Sequence, residues 1–269
     1  VELNGRYTHH AIFDETIKFI KNNKDKPFFL YCPWTPPHAA YQIPEDEPAW
    51  KMYKDKPWPH DARVAAAMDT MMDRHVGEIT ALLKKLGIYQ NTLMFFTSDN
   101  GAAKRFDGIH NSSGVMQGKK RSLNEGGIRV PMVVRWPDKI KAGRVSGHPW
   151  YFPDVMPTFA EIGGVSTEVP EDIDGISILP TLLDKGVQKQ HEYMFWQYGV
   201  RAVRSGKWKG IGKGGHLYLY DLSEDIEEKN DLSSKHPKIA ARMKKYITIG
   251  YREPRSQKDD GKYTGKDKK

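Results

Sequence analysis

The chain has 269 residues, of which 38% are apolar and 28% are charged, and its aromatic residues supply core material for a large domain. No run approaches the ~20 apolar residues that a membrane span needs, and a single cysteine, Cys32, excludes an internal disulfide framework. The formal net charge of +8 favours an anionic partner. Because the sequence has no nucleic-acid motif and no basic stripe interleaved with aromatic residues, we expect that this partner is not a nucleic acid.

The first ninety residues alternate helical patterns with irregular sequence. Apolar residues recur with helical spacing over Thr8–Asn23 and over 61–86, so both segments predict amphipathic helices. The second helix is expected to end at Gly87. Between the helices, "PFFLY" predicts a short buried strand at 28–31. The following "CPWTPPHAAYQIPEDEPAW" predicts a long loop, because its prolines forbid a regular helix or a central strand.

The middle of the chain continues the alternation of strands and helices. A strand is predicted over 91–97, and "GGIRVPMVVRWP" predicts another that Pro131 makes irregular or places at an edge. "FPDVMPTFAEIGG" predicts a short helix with Pro157 in its first turn and Gly163 beyond its end. This order of elements predicts an α/β fold with a largely parallel sheet flanked by helices.

The character of the sequence changes near residue 190. The stretch that follows is punctuated by glycines and alternates apolar with polar residues, which predicts short antiparallel strands, and a helix is predicted over 236–249. We therefore expect an α/β domain at 1–190, a small α+β domain with an antiparallel sheet at 191–252, and a basic, disordered tail at 253–269.

Two oxygen donors stand side by side where the strand at 91–97 should end. Asp99 and Asn100 follow the apolar run, and Gly101 allows the chain to turn sharply. In open parallel sheets ligands bind at the carboxyl ends of strands, and a carboxylate next to an amide carbonyl suits a hard cation. A helix cap or an Asx turn uses the same residue types and is the alternative interpretation.

Two further loops offer chemistry. His38 ends the run "PFFLYCPWTPPH", whose prolines would hold the imidazole rigidly just past a strand, although a lone histidine is more often structural. The loop "GKKRSLNEGGIRVP" carries Lys119 and Lys120 between two strands. Lysines in loops usually serve solubility, and the residues alone do not choose between these two.

Six segments taken together resemble the formylglycine-dependent sulfatases of the alkaline phosphatase superfamily. They are "PFFLYCPWTPPH", "NTLMFFTSDNG", "GKKRSLNEGGIRVPMVVRWP", "FPDVMPTFAEIGGV", "RAVRSGKWKGI" and "YDLSEDIEEKNDL". They occur in the family's order at plausible spacings and cover nearly all of residues 8 to about 240. The resemblance corresponds to the C-terminal two-thirds of such a sulfatase, so an alkaline phosphatase-like fold without its N-terminal strands is expected.

The resemblance also implies roles for individual residues. Asp99 and Asn100 match two ligands of a single divalent cation, normally Ca²⁺, and Lys120 matches a lysine that contacts the sulfate. His38 matches a histidine that contacts the sulfate ester near the leaving oxygen. One Ca²⁺ and one or two cationic side chains can neutralise a singly charged sulfate monoester. A neutral Asn100, where His would favour zinc, favours a sulfatase over a phosphatase.

The match fails at the family's nucleophile. The expected C/S-x-P-x-R motif, whose Cys or Ser becomes formylglycine, is absent, and so is the family's N-terminal Asp-Asp pair, which follows the first strand and supplies two further metal ligands. Cys32 stands in "CPWTP" and does not fit the motif, so it is interpreted as a small apolar residue. We expect both missing parts upstream of residue 1, an active full-length parent, and no activity from this fragment alone.

The expected activity is hydrolysis of sulfate esters, with sulfated sugars as the partner substrates. Trp34 and Tyr41 are candidate sugar platforms or packing residues, and Arg105, His110, Asn111 and His148 are candidate substrate contacts or loop filler. The alternatives are a phosphoric or phosphonic monoester hydrolase of the same superfamily and a non-catalytic remnant that binds sulfated glycans. By analogy with the family we expect a periplasmic or secreted protein; the sequence indicates no oligomeric state.

Overall fold

The computed structural model describes residues 5–252, so the predicted tail at 253–269 lies outside the described residues. The chain divides into two compact units. Unit 1 is the described part of Val1–Met94 together with Gly108–His110 and Val134–Gly143. Unit 2 takes the remaining ranges, which are Phe95–Asp107, Asn111–Val133 and the described part of Arg144–Lys269.

The described residues contain the following helices and strands. The α-helices are α1 Thr8–Asn23, α2 Pro48–Tyr53, α3 His60–Lys85, α4 Asp107–His110, α5 Glu125–Ile128, α6 Val155–Ile162, α7 Leu179–Leu183 and α8 Pro237–Gly250. The strands are β1 Met94–Thr97, β2 Met132–Arg135, β3 Met194–Tyr198, β4 Val200–Ser205, β5 Trp208–Lys213 and β6 His216–Asp221. Short 3₁₀ turns occur at Phe152–Asp154 and Ser166–Glu168.

Unit 1 is built around α1 and α3. Phe13 and Ile20 of α1 pack with Ile79 and Leu83 of α3, as the helical spacing of these apolar residues requires. Helix α3 ends at Lys85, and Gly87 just beyond it has a φ of +74°, a left-handed conformation that residues with a Cβ rarely adopt. Both predicted helices of this unit are therefore confirmed, including the glycine that ends the second one.

The strand predicted at 28–31 does not form, so this prediction was wrong. The segment is extended and has no strand partner among the described residues. Leu30 packs against the α1–α3 core, whereas Phe29 and Tyr31 are 66% and 71% exposed. A strand requires a neighbouring backbone to pair with, and local composition cannot supply one.

Unit 2 contains the four-stranded antiparallel sheet β3-β4-β5-β6, in which sequential strands are neighbours. Helix α8 covers one face, where Met243 packs with Val203, Leu217 and Leu219. Gly210 of β5 is part of this contact, because a Cβ there would lie 2.9 Å from the Met243 Cβ. The predicted antiparallel sheet and final helix are confirmed.

The predicted alternation of strands and helices is visible earlier in the chain. Strands β1 and β2 form a two-stranded sheet, and each contributes residues to both compact units. Helix α6 follows β2 with Pro157 in its first turn and Gly163 at its end, as predicted. The compact units do not follow the predicted boundary near residue 190, which stays a prediction about domains; the antiparallel sheet begins close to it, at Met194.

Candidate active site

Asp99 and Asn100 lie directly after β1, in unit 2. Asp99 is exposed and Asn100 is partly buried. Within residues 5–252, neither side chain accepts or donates a hydrogen bond, and no helix begins next to them. The Ser98 hydroxyl donates to the Asn100 carbonyl oxygen at 3.2 Å. The side-chain oxygens of both residues are thus not used in a cap or an Asx turn, and they are available to a ligand.

The turn after this pair is in close contact with the Glu125-Gly126-Gly127 turn. The Gly101 amide donates to the Gly127 carbonyl at 2.9 Å. A Cβ on Gly101 would lie 2.1 Å from the Gly126 carbonyl oxygen, and a Cβ on Gly127 would lie 2.2 Å from the Ser122 carbonyl oxygen. Only glycine allows the two backbones to approach this closely.

Lys120 lies on the loop that this contact holds in place. Its amide donates to the Ala102 carbonyl at 2.8 Å, so its backbone lies beside the turn that carries Asp99 and Asn100. Lys120 is partly buried, whereas Lys119 is exposed. The structure therefore brings together the loop of the predicted metal pair and the loop of the predicted sulfate-contacting lysine.

A buried group of charged residues anchors the Glu125 turn to the four-stranded sheet. Lys209 of β5 is fully buried, and its Nζ lies 2.7 Å from Glu125 Oε1 and 3.3 Å from Glu228 Oε1. The Glu125 amide donates to Glu228 Oε2 at 2.7 Å. Arg129 and Arg204 lie 3.6 and 4.0 Å from Glu125 Oε2. Burial raises the pKa of Glu228, and the Lys209 charge opposes this effect.

The sequence analysis did not find this charged group. Lys209 stands in "GKWKGI", two residues after another lysine, and resembles an exposed residue, and its partner Glu125 is 84 residues away in the chain. The signal was its strand position, since Lys209 is one of three consecutive buried residues of β5. A lysine at such a position requires a buried acidic partner.

His38 lies in the proline-rich loop of unit 1 and is exposed. Its amide donates to the Thr35 carbonyl at 2.9 Å, and its Nδ1 lies 2.6 Å from the Ala39 carbonyl. A carbonyl only accepts, so Nδ1 carries a proton and the second ring nitrogen, Nε2, is left for another partner. The structure places His38 in a different compact unit from Lys120 and the Asp99–Asn100 pair.

Two other residues of the proline-rich loop have structural roles. Trp34 packs against the α1–α3 core, with its ring 5.1 Å from that of His9 and 6.4 Å from that of Phe13. Packing is therefore the better interpretation than a sugar platform. Cys32 lies 3.7 Å from the Thr16 hydroxyl, and burial raises the pKa of its thiol. A raised pKa disfavours the thiolate that a nucleophile needs.

Three other candidate substrate contacts, His110, Arg105 and His148, interact with nearby residues of the chain. The His110 ring lies 5.5 Å from that of Trp58 in unit 1, and the Arg105 guanidinium lies 5.7 Å from the ring of Phe106 in unit 2. The His148 amide donates to the Ser146 hydroxyl at 3.2 Å, and burial lowers the pKa of its ring. None of these contacts indicates a substrate, so their predicted alternatives stay open.

The donor chemistry of Asp99 and Asn100 fits a calcium ion in part. A carboxylate and an amide carbonyl are hard oxygen ligands, and both are available here. Ca²⁺ takes about 6–8 oxygens. Within residues 5–252 no group of three or more His, Cys, Asp or Glu side chains could hold a metal ion. These residues would therefore supply two ligands of a larger set.

Comparison with known proteins decides the family. A family model described as Sulfatase matches residues 2–165, which is more than half of the chain. The chain belongs to the sulfatase family. A second model, described as N-sulphoglucosamine sulphohydrolase, C-terminal, matches residues 117–249 of this sulfatase chain.

Several sulfatases are similar to it. Steryl-sulfatase of Mus musculus is 34% identical over an alignment of 213 positions, which covers 74% of this chain and 32% of that protein. N-acetylgalactosamine-6-O-sulfatase of Bacteroides thetaiotaomicron is 29% identical over 267 residues, covering 88% of this chain and 49% of that protein. The crystal structure of Ps i-CgsB in complex with k-i-k-neocarrahexaose matches with a TM-score of 0.79 and 29% identity, over 91% of this chain and 55% of that one. The chain thus spans between about a third and about half of these relatives, which is less than the two-thirds expected from the sequence.

These matches confirm two predictions from the sequence. The sulfatase resemblance is confirmed by the family model, and the alkaline phosphatase-like α/β fold followed by an antiparallel sheet is confirmed by the solved sulfatase structures. Within the described part of the chain, none of the helices combines the length and the apolar character needed to cross a lipid bilayer.

Proposed function

We propose that the protein containing this chain hydrolyses sulfate esters of sugars. The observation that supports the proposal is the close backbone contact between the Asp99–Gly101 turn and the Lys120 loop. It places a candidate metal pair and a candidate sulfate-binding cation on adjoining loops whose geometry is fixed by glycines and hydrogen bonds. Such preorganised charge is what stabilises the developing charge of an ester hydrolysis.

Each proposed residue has a distinct role. The Asp99 carboxylate and the Asn100 amide oxygen would hold Ca²⁺, which would supply Lewis-acid polarisation of the sulfate oxygens. The Lys120 ammonium binds a sulfate oxygen and neutralises its charge. His38 keeps Nδ1 on the Ala39 carbonyl, and its protonated Nε2 donates to the oxygen of the leaving group.

The proposed nucleophile is a formylglycine that the 269 residues do not encode, because they contain no C/S-x-P-x-R sequence. We therefore propose that the activity belongs to the whole gene product, which supplies the nucleophile and further acidic ligands. These 269 residues by themselves are expected to bind but not to hydrolyse a sulfate ester.

Sugars are the proposed substrate class because of the relatives' names. One relative is an N-acetylgalactosamine-6-O-sulfatase, and one solved structure contains k-i-k-neocarrahexaose. The mouse relative is a steryl-sulfatase, so a steroid sulfate is the competing substrate. Export to the periplasm or the cell exterior is proposed by analogy with the family, and the oligomeric state is left open.

The test is a set of variants in the whole gene product that contains these residues. Lys120→Ala is expected to lower kcat/KM for an aryl sulfate by about 10²–10³-fold, the effect of removing one charge-stabilising donor. Lys119→Ala is the matched control, because it removes the same charge from the neighbouring exposed position, and it should change kcat/KM by less than about threefold. Asp99→Ala should weaken Ca²⁺ binding, measured by titration calorimetry.

Paired substrates separate the proposal from its alternatives. The enzyme should hydrolyse an aryl sulfate much faster than the matching aryl phosphate or phosphonate. The opposite preference would make it a phosphoric or phosphonic ester hydrolase. A gene product that lacks the C/S-x-P-x-R motif and binds sulfated glycans without hydrolysing them would leave the binding remnant as the correct interpretation.

A further inference from the structure

A basic groove lies in unit 2, beside the four-stranded sheet. Its volume of about 600 Å³ is within the range of about 300–1,000 Å³ that is typical of ligand sites. The first residues of β4, the hairpin between β5 and β6, and the C-terminal half of α8 line it. It includes none of the candidate active-site residues, and none of the residues that line it is acidic.

Glycines in the sheet create the space. Gly212 of β5 pairs with Arg201 of β4 and Leu217 of β6, and its position faces α8, since a Cβ there would lie 3.4 Å from Ile247 Cδ1. Gly214 and Gly215, with φ of +58° and +80°, make the tight turn that follows. Because none of these residues has a side chain, a ligand can approach the backbone closely.

Cationic side chains surround this space. Lys213 and Lys244 are exposed, and neither makes an ion pair within residues 5–252. Arg201 places its guanidinium 3.5 Å from the centre of the Tyr251 ring, which holds it at the groove. His216 differs from the others, because its Nε2 lies 2.9 Å from Asp231 Oδ2. Within residues 5–252 none of Lys213, Lys244 and Arg201 has a carboxylate partner, so together they form a local excess of positive charge.

We propose that this basic groove binds a sulfated polysaccharide, as a second binding surface for the polymeric substrate. The inference rests on the proposed function, which supplies sulfated sugars as the ligand class. Sulfate groups along such a chain accept charge-assisted hydrogen bonds from Lys213, Lys244 and Arg201. A nucleic acid fits less well, because no Phe, Tyr or Trp lines the groove and single strands are bound by stacking on aromatic rings.

The groove holds a substrate chain by charge and adds to the affinity of the active site for polymers. Two weak sites on one polymer reinforce each other, since the second binding event becomes intramolecular. The groove should therefore affect polymeric sulfate esters and have no effect on a small aryl sulfate.

The test measures binding of dextran sulfate to the 269-residue chain in EDTA, by titration calorimetry at several salt concentrations. The double substitution Lys213→Gln/Lys244→Gln is expected to weaken binding by about tenfold or more and to lower its salt dependence. Lys238→Gln/Lys245→Gln is the matched control: both lysines are exposed on α8 outside the groove, and the net charge changes equally. Unsulfated dextran should not bind.

A second measurement uses the unchanged protein and does not depend on how the variants fold. Acetylation of lysines, followed by mass spectrometry, should show Lys213 and Lys244 protected by dextran sulfate, while Lys238 and Lys245 react as before. Any of three results would overturn the proposal: equal loss of binding in both double variants, equal protection of all four lysines, or binding of single-stranded DNA as tight as that of dextran sulfate.

The outcome is independent of the proposed hydrolysis. EDTA removes any metal from the Asp99–Asn100 pair, and the chain needs no nucleophile to bind. Groove binding without turnover in the whole gene product would refute the proposed activity alone. Turnover of small aryl sulfates without groove binding would refute this inference alone.

Discussion

Each compact unit buries a cluster of ionisable side chains. The two clusters avoid the free-energy cost of burying an unpaired charge in different ways. In unit 2, Lys209 lies between Glu125 and Glu228, and all three residues are at most 2% exposed. In unit 1, His9 and His75 are 1% and 2% exposed and share a hydrogen bond of 2.9 Å between His9 Nε2 and His75 Nδ1. The first cluster is held by opposite charges, whereas the second consists of neutral rings.

The protonation of the histidines explains the difference. Burial lowers the pKa of both His9 and His75 to about 4, and the neighbouring rings and Arg74 add to this effect. A hydrogen bond between two imidazoles needs one nitrogen without a proton, so the pair requires at least one neutral ring. Removing one partner of the unit 2 cluster should therefore destabilise the fold. The unit 1 cluster should instead destabilise the fold when a proton is added to its rings.

Among the substitutions, the largest effect is expected from Lys209→Met, which breaks the unit 2 cluster. The substitution keeps much of the side chain's volume but leaves Glu125 and Glu228 buried without their cation. Breaking a buried ion pair by removing one partner typically lowers the free energy of unfolding by about 3–5 kcal/mol. Urea denaturation, monitored by circular dichroism, measures this loss.

Lys207→Met provides the control for that experiment. Lys207 is 52% exposed at its side chain and pairs with Asp221, so its removal should lower the free energy of unfolding by less than about 1 kcal/mol. Each substitution removes one positive charge, and the two positions are only two residues apart. If the Lys209 and Lys207 variants lost the same stability, the buried cluster would not anchor the Glu125 turn.

An intermediate loss of stability is expected from Gly101→Ala. This substitution tests whether the contact between Gly101 and the Glu125 turn positions Asp99 and Asn100. The new Cβ would meet the Gly126 carbonyl oxygen at 2.1 Å, so one backbone must move. Overpacking of this kind typically lowers the free energy of unfolding by about 1–3 kcal/mol, and the proposed Ca²⁺ pair should bind more weakly. Chemical denaturation and calcium titration measure the two changes.

Gly108→Ala is the matched substitution, since a Cβ on this α4 glycine meets no atom within 4 Å. It should leave the stability unchanged or raise it by up to about 1 kcal/mol, as alanine favours helix. Weakened calcium binding in this control as well would mean that the close contact at Gly101 does not position Asp99 and Asn100.

The sequence predicts the structure best where interactions between residues close together in the chain determine it. Helix α1 has the predicted bounds, Thr8–Asn23, because apolar spacing determines which side of a helix can be buried. The turn at Gly101 was also predictable, since only glycine tolerates the conformation or the close contact that such a turn needs. The metal role of Asp99 and Asn100 stays a prediction.

Long-range pairing explains what could not be predicted. Residues 28–31 have a strand-like composition, but whether they form a strand depends on a neighbouring backbone. Lys209 looked like a surface lysine, and its burial depends on acidic groups that the fold brings to it from far along the chain. Similarly, His9 and His75 are 66 residues apart, and no local pattern shows that they share a proton.

Acidification tests the unit 1 cluster. Both histidines have a folded-state pKa of about 4, below the ordinary value near 6.5, so the unfolded chain binds more protons between these pH values. Stability that is fully present above pH 6.5 is therefore lost as the pH falls toward 4. We expect the midpoint of thermal unfolding to decrease by about 2–4 °C for each kcal/mol lost.

His9→Gln makes this pH effect specific to the buried pair. The Gln amide can still donate to His75 Nδ1 but does not titrate, so the fall in the unfolding midpoint between pH 6.5 and 4 should become smaller. His60→Gln is the control, because this ring is 63% exposed and its loss should leave the pH profile unchanged. His10, Glu47 and Arg74 lie around the pair and are the same in both variants. Of the two substituted residues, only His9 belongs to the neutral pair. If the fall in the unfolding midpoint between pH 6.5 and 4 became smaller by the same amount in both variants, the acid sensitivity would lie outside this pair.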